Sequence, residues 1–154
     1  MQETAQEAFV RRWTLAADRF VSGGFHHPGA MRAAADAAGV CEQDLPDPMQ
    51  RDPFAVCYAF GRLFPDAELA IADVNGLIRC IAGGLSYRRE HITGLAWSAP
   101  TAVLAEHYAD RVKELSIRAG LWSAADKWLD ESRPLGDIVR TMLASAARVP
   151  HNDI

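Results

Sequence analysis

The chain has 154 residues, 49% of them hydrophobic and 23% charged, with a mean hydropathy of −0.08 and a formal net charge of −4 at pH 7. These proportions exclude a disordered or fibrous chain and predict a single domain over residues 1–150 with a frayed tail at 151–154. No uncharged apolar run reaches the roughly 18 residues of a spanning helix, and the first residues lack the basic and apolar regions of a secretory leader, so a cytoplasmic address with no membrane attachment is expected.

The charge is unevenly placed. Between Asp36 and Glu68, seven acids stand against Arg51 and Arg62 alone, which leaves the rest of the chain close to neutral. A duplex-binding surface needs the opposite sign, because neutralised phosphates supply most non-specific affinity. Cys41, Cys57 and Cys80 are odd in number and widely spaced, with no CxxC pair, and read as reduced, mostly buried thiols.

In chain order, Thr4-Ala5-Gln6-Glu7 is a capping box that opens a first helix. Phe9, Trp13, Ala16, Ala17 and Phe20 recur at helical spacing, and Gly23-Gly24 is expected to stop the helix near Ser22. A second helix fits Pro28 to Ala38, with Gly39 as terminator. Val40 to Asp52, with Pro46, Pro48 and its acids, reads as the longest irregular connection. Asp52-Pro53 then predicts an N-cap and first turn for a third helix ending at Pro65.

The next stretch, near residues 67–82, is apolar nearly all round through Leu69, Ile71, Val74, Leu77, Ile78 and Ile81, and is expected to be a central buried helix closed by Gly83-Gly84. Residues 85–100 fit a short helix or a packed loop. Thr101 to Ala119 is amphipathic, with Gly120 expected beyond its end. Ser123 should cap a short helix bearing Trp128 and Leu129, and Pro134 should precede a last helix lined by Ile138, Val139, Met142, Leu143, Ala146 and Val149. No strand alternation or internal repeat appears. The expected fold is all-α, a compact bundle of six to seven helices.

Catalytic and metal-binding patterns are weak. His26 and His27 are adjacent in a turn, outside HExxH or Glu-x-x-His spacing, and His107 has Asp110 as its nearest helical carboxylate. Gly84-Leu85-Ser86-Tyr87-Arg88 lacks the last glycine of a nucleophile elbow, and Gly83-Gly84 follows a helix where a phosphate loop follows a strand. No catalytic residue, metal or cofactor is assigned on this basis.

One stretch resembles a known family. Leu15-Ala16-Ala17, Phe20, Gly24-Phe25, Met31, Ala35, Ala38-Gly39-Val40 and Leu45 are similar to the opening of TetR-type transcriptional regulators. The resemblance covers Arg11 to Leu45 and implies a helix-turn-helix whose second helix leads through Ala38-Gly39-Val40 into a recognition helix. At that point the chain departs from the family: Cys41-Glu42-Gln43-Asp44-Leu45-Pro46-Asp47-Pro48 places prolines where a helix is needed and acids where phosphates would lie.

The sequence therefore points first to a small acidic protein-binding module, such as an adaptor, chaperone, antitoxin-like or phage-type inhibitor protein. The alternatives are a regulator with a degenerate TetR-like N-terminus and a small helical enzyme whose site follows no motif. Glu42, Asp44, Asp47 and Asp52 are the candidate contacts for a protein partner with a basic or nucleic-acid-binding surface. Arg88, Arg89 and Trp122 complete the candidate set, because arginine and tryptophan concentrate at binding hot spots.

Overall fold

The computed structural model describes residues 2–70, 73, 74, 76, 77, 94, 95 and 104–149. Five α-helices lie among these residues, fewer than the six to seven expected: α1 (Ala5–His26), α2 (Pro28–Ala38), α3 (Pro48–Leu63), α4 (Ala105–Asp126) and α5 (Leu135–Ala146), with one 3₁₀ turn at Glu42–Asp44. No strand occurs among the described residues. The chain divides into two compact units, Met1–Lys113 and Glu114–Ile154, with α4 contributing its first turns to one and the remainder to the other.

In the N-terminal unit, α1 starts as its capping box predicts. The Thr4 hydroxyl accepts the Glu7 N–H at 3.1 Å, and the Glu7 carboxylate accepts the Thr4 N–H at 2.8 Å. The helix runs through Gly23-Gly24 instead of stopping there. A Cβ on Gly24 would stand 2.5 Å from Met31 Sδ and 2.9 Å from Cys57 Cβ, so this glycine lets three helices approach closely. The stop comes from Pro28, which drives His27 out of the helical region to φ −152°, ψ 85°. His27 then caps α2, its Nδ1 accepting the Ala30 N–H at 3.1 Å. Gly39 ends α2 in the left-handed region at φ 67°, as predicted.

The third helix begins at Pro48, five residues before the Pro53 start that Asp52-Pro53 predicts. Asp47 is its N-cap, accepting the Met49 N–H at 2.9 Å, and Gln50 Oε1 accepts the Asp47 N–H at 3.2 Å. Asp52 and Pro53 therefore lie inside α3. A second glycine contact fixes its far end, because a Cβ on Gly61 would stand 2.3 Å from the Pro28 carbonyl oxygen. Phe20, Val21, Met31, Leu45 and Phe54 fill the core of this unit. Each such side chain contributes about 1.5–3 kcal/mol by leaving water.

Most of the expected central helix near 67–82 lies outside the described residues. Of those described, 67–70 are irregular, while 73, 74, 76 and 77 are helical, with Val74 fully buried and Leu77 exposed. In the segment 85–100, only Gly94 and Leu95 are described, both helical.

In the C-terminal unit, α4 continues through Gly120 where a break was expected, and Ser123 lies within it. A Cβ on Gly120 would be 2.9 Å from Ser145 Oγ, so the absent side chain serves the approach of α5 rather than a helix end. Trp128 and Leu129 consequently fall in the turn after α4, not on a helix of their own. Buried Ala124 and Ile138 belong to this unit, and Arg148 donates to Ser116 Oγ at 2.9 Å.

Candidate protein-interaction surfaces

The acidic segment is largely tied into its own unit. Asp44 is fully buried, and its Oδ2 receives the Cys41 N–H at 2.9 Å, the Cys41 thiol at 3.3 Å and Lys113 Nζ at 3.2 Å. Lys113 Nζ also donates to the Gly39 carbonyl at 2.7 Å. The 3₁₀ turn is needed for this, because it points the Asp44 side chain back at the Cys41 amide. Trp13 Nε1 donates to the Asp44 carbonyl at 3.0 Å from the other side. Asp44 thus presents no surface to a partner.

The neighbouring groups are similarly engaged. Asp47 is half-buried and caps α3, and Arg51 donates to the Leu45 carbonyl at 3.2 Å. Gln50 is fully buried and bridges to α1, donating through Nε2 to the Thr14 carbonyl at 3.0 Å and to Asp18 Oδ1 at 2.6 Å. Asp52 is half-buried on α3, which leaves Glu42 as the one exposed member of the four acids. Arg88 and Arg89 lie outside the described residues.

The same geometry bears on the TetR-like stretch. Ala38-Gly39-Val40 does form a turn, but a 3₁₀ turn follows it, and nine residues separate α2 from α3. The first turns of α3 bury Gln50, Pro53 and Phe54. A recognition helix places its N-terminal side chains against base edges in a groove; here Gln50, Pro53 and Phe54 face the protein interior, Asp47 and Asp52 carry acids, and Arg51 donates to the Leu45 carbonyl.

Burial pushes the Cys57 thiol well above the ordinary cysteine range, so it is held as the unreactive neutral form. His107 is exposed and stacks edge-on against Tyr108, with ring centroids 5.4 Å apart. Among the described residues, no three His, Cys, Asp or Glu side chains form a group that could hold a metal ion, and no helix is long and apolar enough to cross a membrane.

Large apolar side chains are exposed in both units, Leu63 and Phe64 at the end of α3 being 71% and 55% exposed. In the C-terminal unit Trp122 is 61% exposed, Trp128 54% and Leu129 91%. Leu135, Val139 and Leu143 of α5 are exposed as well. Sequence reasoning selected Trp122 but placed Val139 and Leu143 only on one side of the last helix, since periodicity shows that a face is apolar and not whether anything covers it.

The chain matches no protein-family model, no curated protein and no solved structure.

Proposed function

We propose that this chain is a protein-binding module that engages its partner through the exposed apolar side chains of the C-terminal unit, with Trp122 as anchor and Trp128 and Leu129 beside it in sequence. The observation that carries this reading is the exposure of both tryptophans and of Leu129 in a unit of this size. Tryptophan is the side chain most enriched at binding hot spots, because its large rigid ring buries much area at small cost in conformational entropy.

The acidic segment takes a secondary part. Glu42, with the half-exposed Asp47 and Asp52, keeps negative potential on the N-terminal unit, which speeds encounter with a basic partner more than it strengthens the final complex. Asp44 is withdrawn from the contact set because it is consumed internally. A cytoplasmic adaptor or inhibitor role fits the free thiols Cys41 and Cys57.

Affinity capture from native extract tests the reading. The intact chain should retain a protein that is lost by the double variant Trp122→Ala, Leu129→Ser, with far-UV circular dichroism unchanged. Retention of the same proteins by both forms sets the C-terminal surface aside.

A further inference from the structure

A single residue joins α1 to α2. His27 is the C-cap of the first helix and the N-cap of the second, and its backbone lies outside the helical region of both. Its N–H donates to the Gly23 carbonyl at 2.8 Å, and its carbonyl accepts the Met31 N–H at 3.2 Å. The side chain adds a third bond, Nδ1 accepting the Ala30 N–H at 3.1 Å. That bond satisfies one of the amides that the start of every helix leaves without a partner.

Histidine differs in one respect from the serine, threonine, asparagine or aspartate usual at this position. A ring nitrogen accepts only while the imidazole is neutral, here with its proton on Nε2; once the ring is charged both nitrogens donate, and the Ala30 N–H faces a donor. The two helix ends do not decide the outcome, because the positive end of α2 disfavours an imidazolium that the negative end of α1 favours. The titratable and charged residues on the elements packed around the joint are His26 on α1, Arg32 on α2, Arg62 on α3, and Asp66 and Glu68 just beyond it. Arg32 is paired with Asp36 at 2.9 Å, and Arg62, Asp66 and Glu68 are exposed. His27 is exposed too, so solvent protons reach it.

The first turn of α2 is also the part of that helix pressed against the end of α3. A Cβ on Gly29 would collide with the Pro65 carbonyl, and one on Gly61 with the carbonyl of Pro28. The Leu69 N–H donates to the Phe25 carbonyl at 3.3 Å, which ties the following segment to the end of α1. We infer that His27 is a proton-operated joint: neutral, it caps α2 and holds the first turn on the end of α3, and protonated, it lets that turn open. The cap is present where the ring is neutral and is lost as pH falls through the ordinary imidazole range, near about 6.5. This inference is independent of the binding role given to Trp122.

Amide hydrogen exchange of the full chain, followed by NMR at about pH 7.5 and about pH 5 and corrected for the intrinsic rate, tests it. Loss of the cap should raise the opening equilibrium at Ala30 by about threefold to thirtyfold at the lower pH, while Ala17 in the buried part of α1 stays protected. His27→Asn supplies a cap that does not titrate, so it should abolish the pH dependence, and His26→Asn should keep it. The nitrogen shifts of the His27 ring in the intact chain need no variant and should show Nδ1 without a proton at neutral pH. Protection at Ala30 that does not change with pH overturns the proposal, and so does a dependence that survives in His27→Asn or vanishes in His26→Asn, or a neutral ring that carries its proton on Nδ1.

Discussion

Lys113 on α4 reaches across 69 positions of sequence to place its ammonium 3.2 Å from the carboxylate of Asp44, which is itself closed to solvent. The pair joins the 3₁₀ turn to the first turns of α4 and converts an acid of a charge-rich segment into part of the interior. Removing one partner leaves a buried charge uncompensated, so Asp44→Ala or Lys113→Ala should each destabilise the N-terminal unit by about 3–5 kcal/mol. The double variant Asp44→Ala, Lys113→Ala should cost less than the sum of the two. Urea unfolding followed by tryptophan fluorescence measures this, since Trp13 donates to the same residue.

Glycine has opposite meanings at two helical sites. Gly61→Ala would drive a methyl group to within 2.3 Å of the Pro28 carbonyl oxygen, and backbone cannot retreat as a side-chain tip can, so a loss of about 1–3 kcal/mol is expected. Gly136 in α5 meets nothing closer than the Arg140 guanidinium at 3.8 Å, so Gly136→Ala should instead stabilise by about 0.4–1 kcal/mol. Thermal melts of the two variants should shift in opposite directions.

The start of α1 should respond to acid. The Thr4 backbone N–H, and then its hydroxyl, hold the Glu7 carboxyl below its ordinary titration range. A lowered folded-state pKa gives stability that is present above the unfolded value and lost as pH falls through the folded one. Fraying of the first turn is therefore expected below about pH 4. An NMR titration should show Glu7 titrating low in the intact chain and moving part of the way back in Thr4→Ala, where the amide contact survives.

Tyr58 should respond to base. Its hydroxyl donates to Asp36, and this hydrogen bond raises the phenol above its ordinary range. The contribution is then complete below the unfolded pKa of about 10 and lost as pH rises through the folded value. Since the contact joins α2 to α3, the intact chain should lose more stability between neutral pH and a pH above the folded value than an Asp36→Ala variant does, as urea unfolding at the two pH values measures, and Tyr58→Phe should remove the dependence.

Local signals located some elements well and misdirected others for a physical reason. Thr4 with Glu7, and Pro28 with Gly39, act through neighbours in sequence, and both ends of α2 follow from them. Two Asp-Pro pairs compete to start α3, at 47–48 and 52–53; the earlier one begins the helix, and Gln50 is anchored to Thr14 and Asp18 on α1. Gly24 and Gly120 look like helix stops in isolation, yet each is spent on a close approach to another helix. The candidate site divides similarly: exposed Trp122 was legible among polar neighbours, while the burial of Asp44 depends on Lys113, and the uncovered arc of α5 depends on what fails to pack against it.

The most direct measurement replaces Trp122 with a photo-crosslinking residue in the intact chain, expressed in its native cell, and weighs the adducts after irradiation. The account predicts a specific adduct to a protein other than the chain itself from position 122, and none from the exposed polar position Arg12 on the N-terminal unit. Adducts from Glu42, Asp47 or Asp52 with none from position 122 would contradict it.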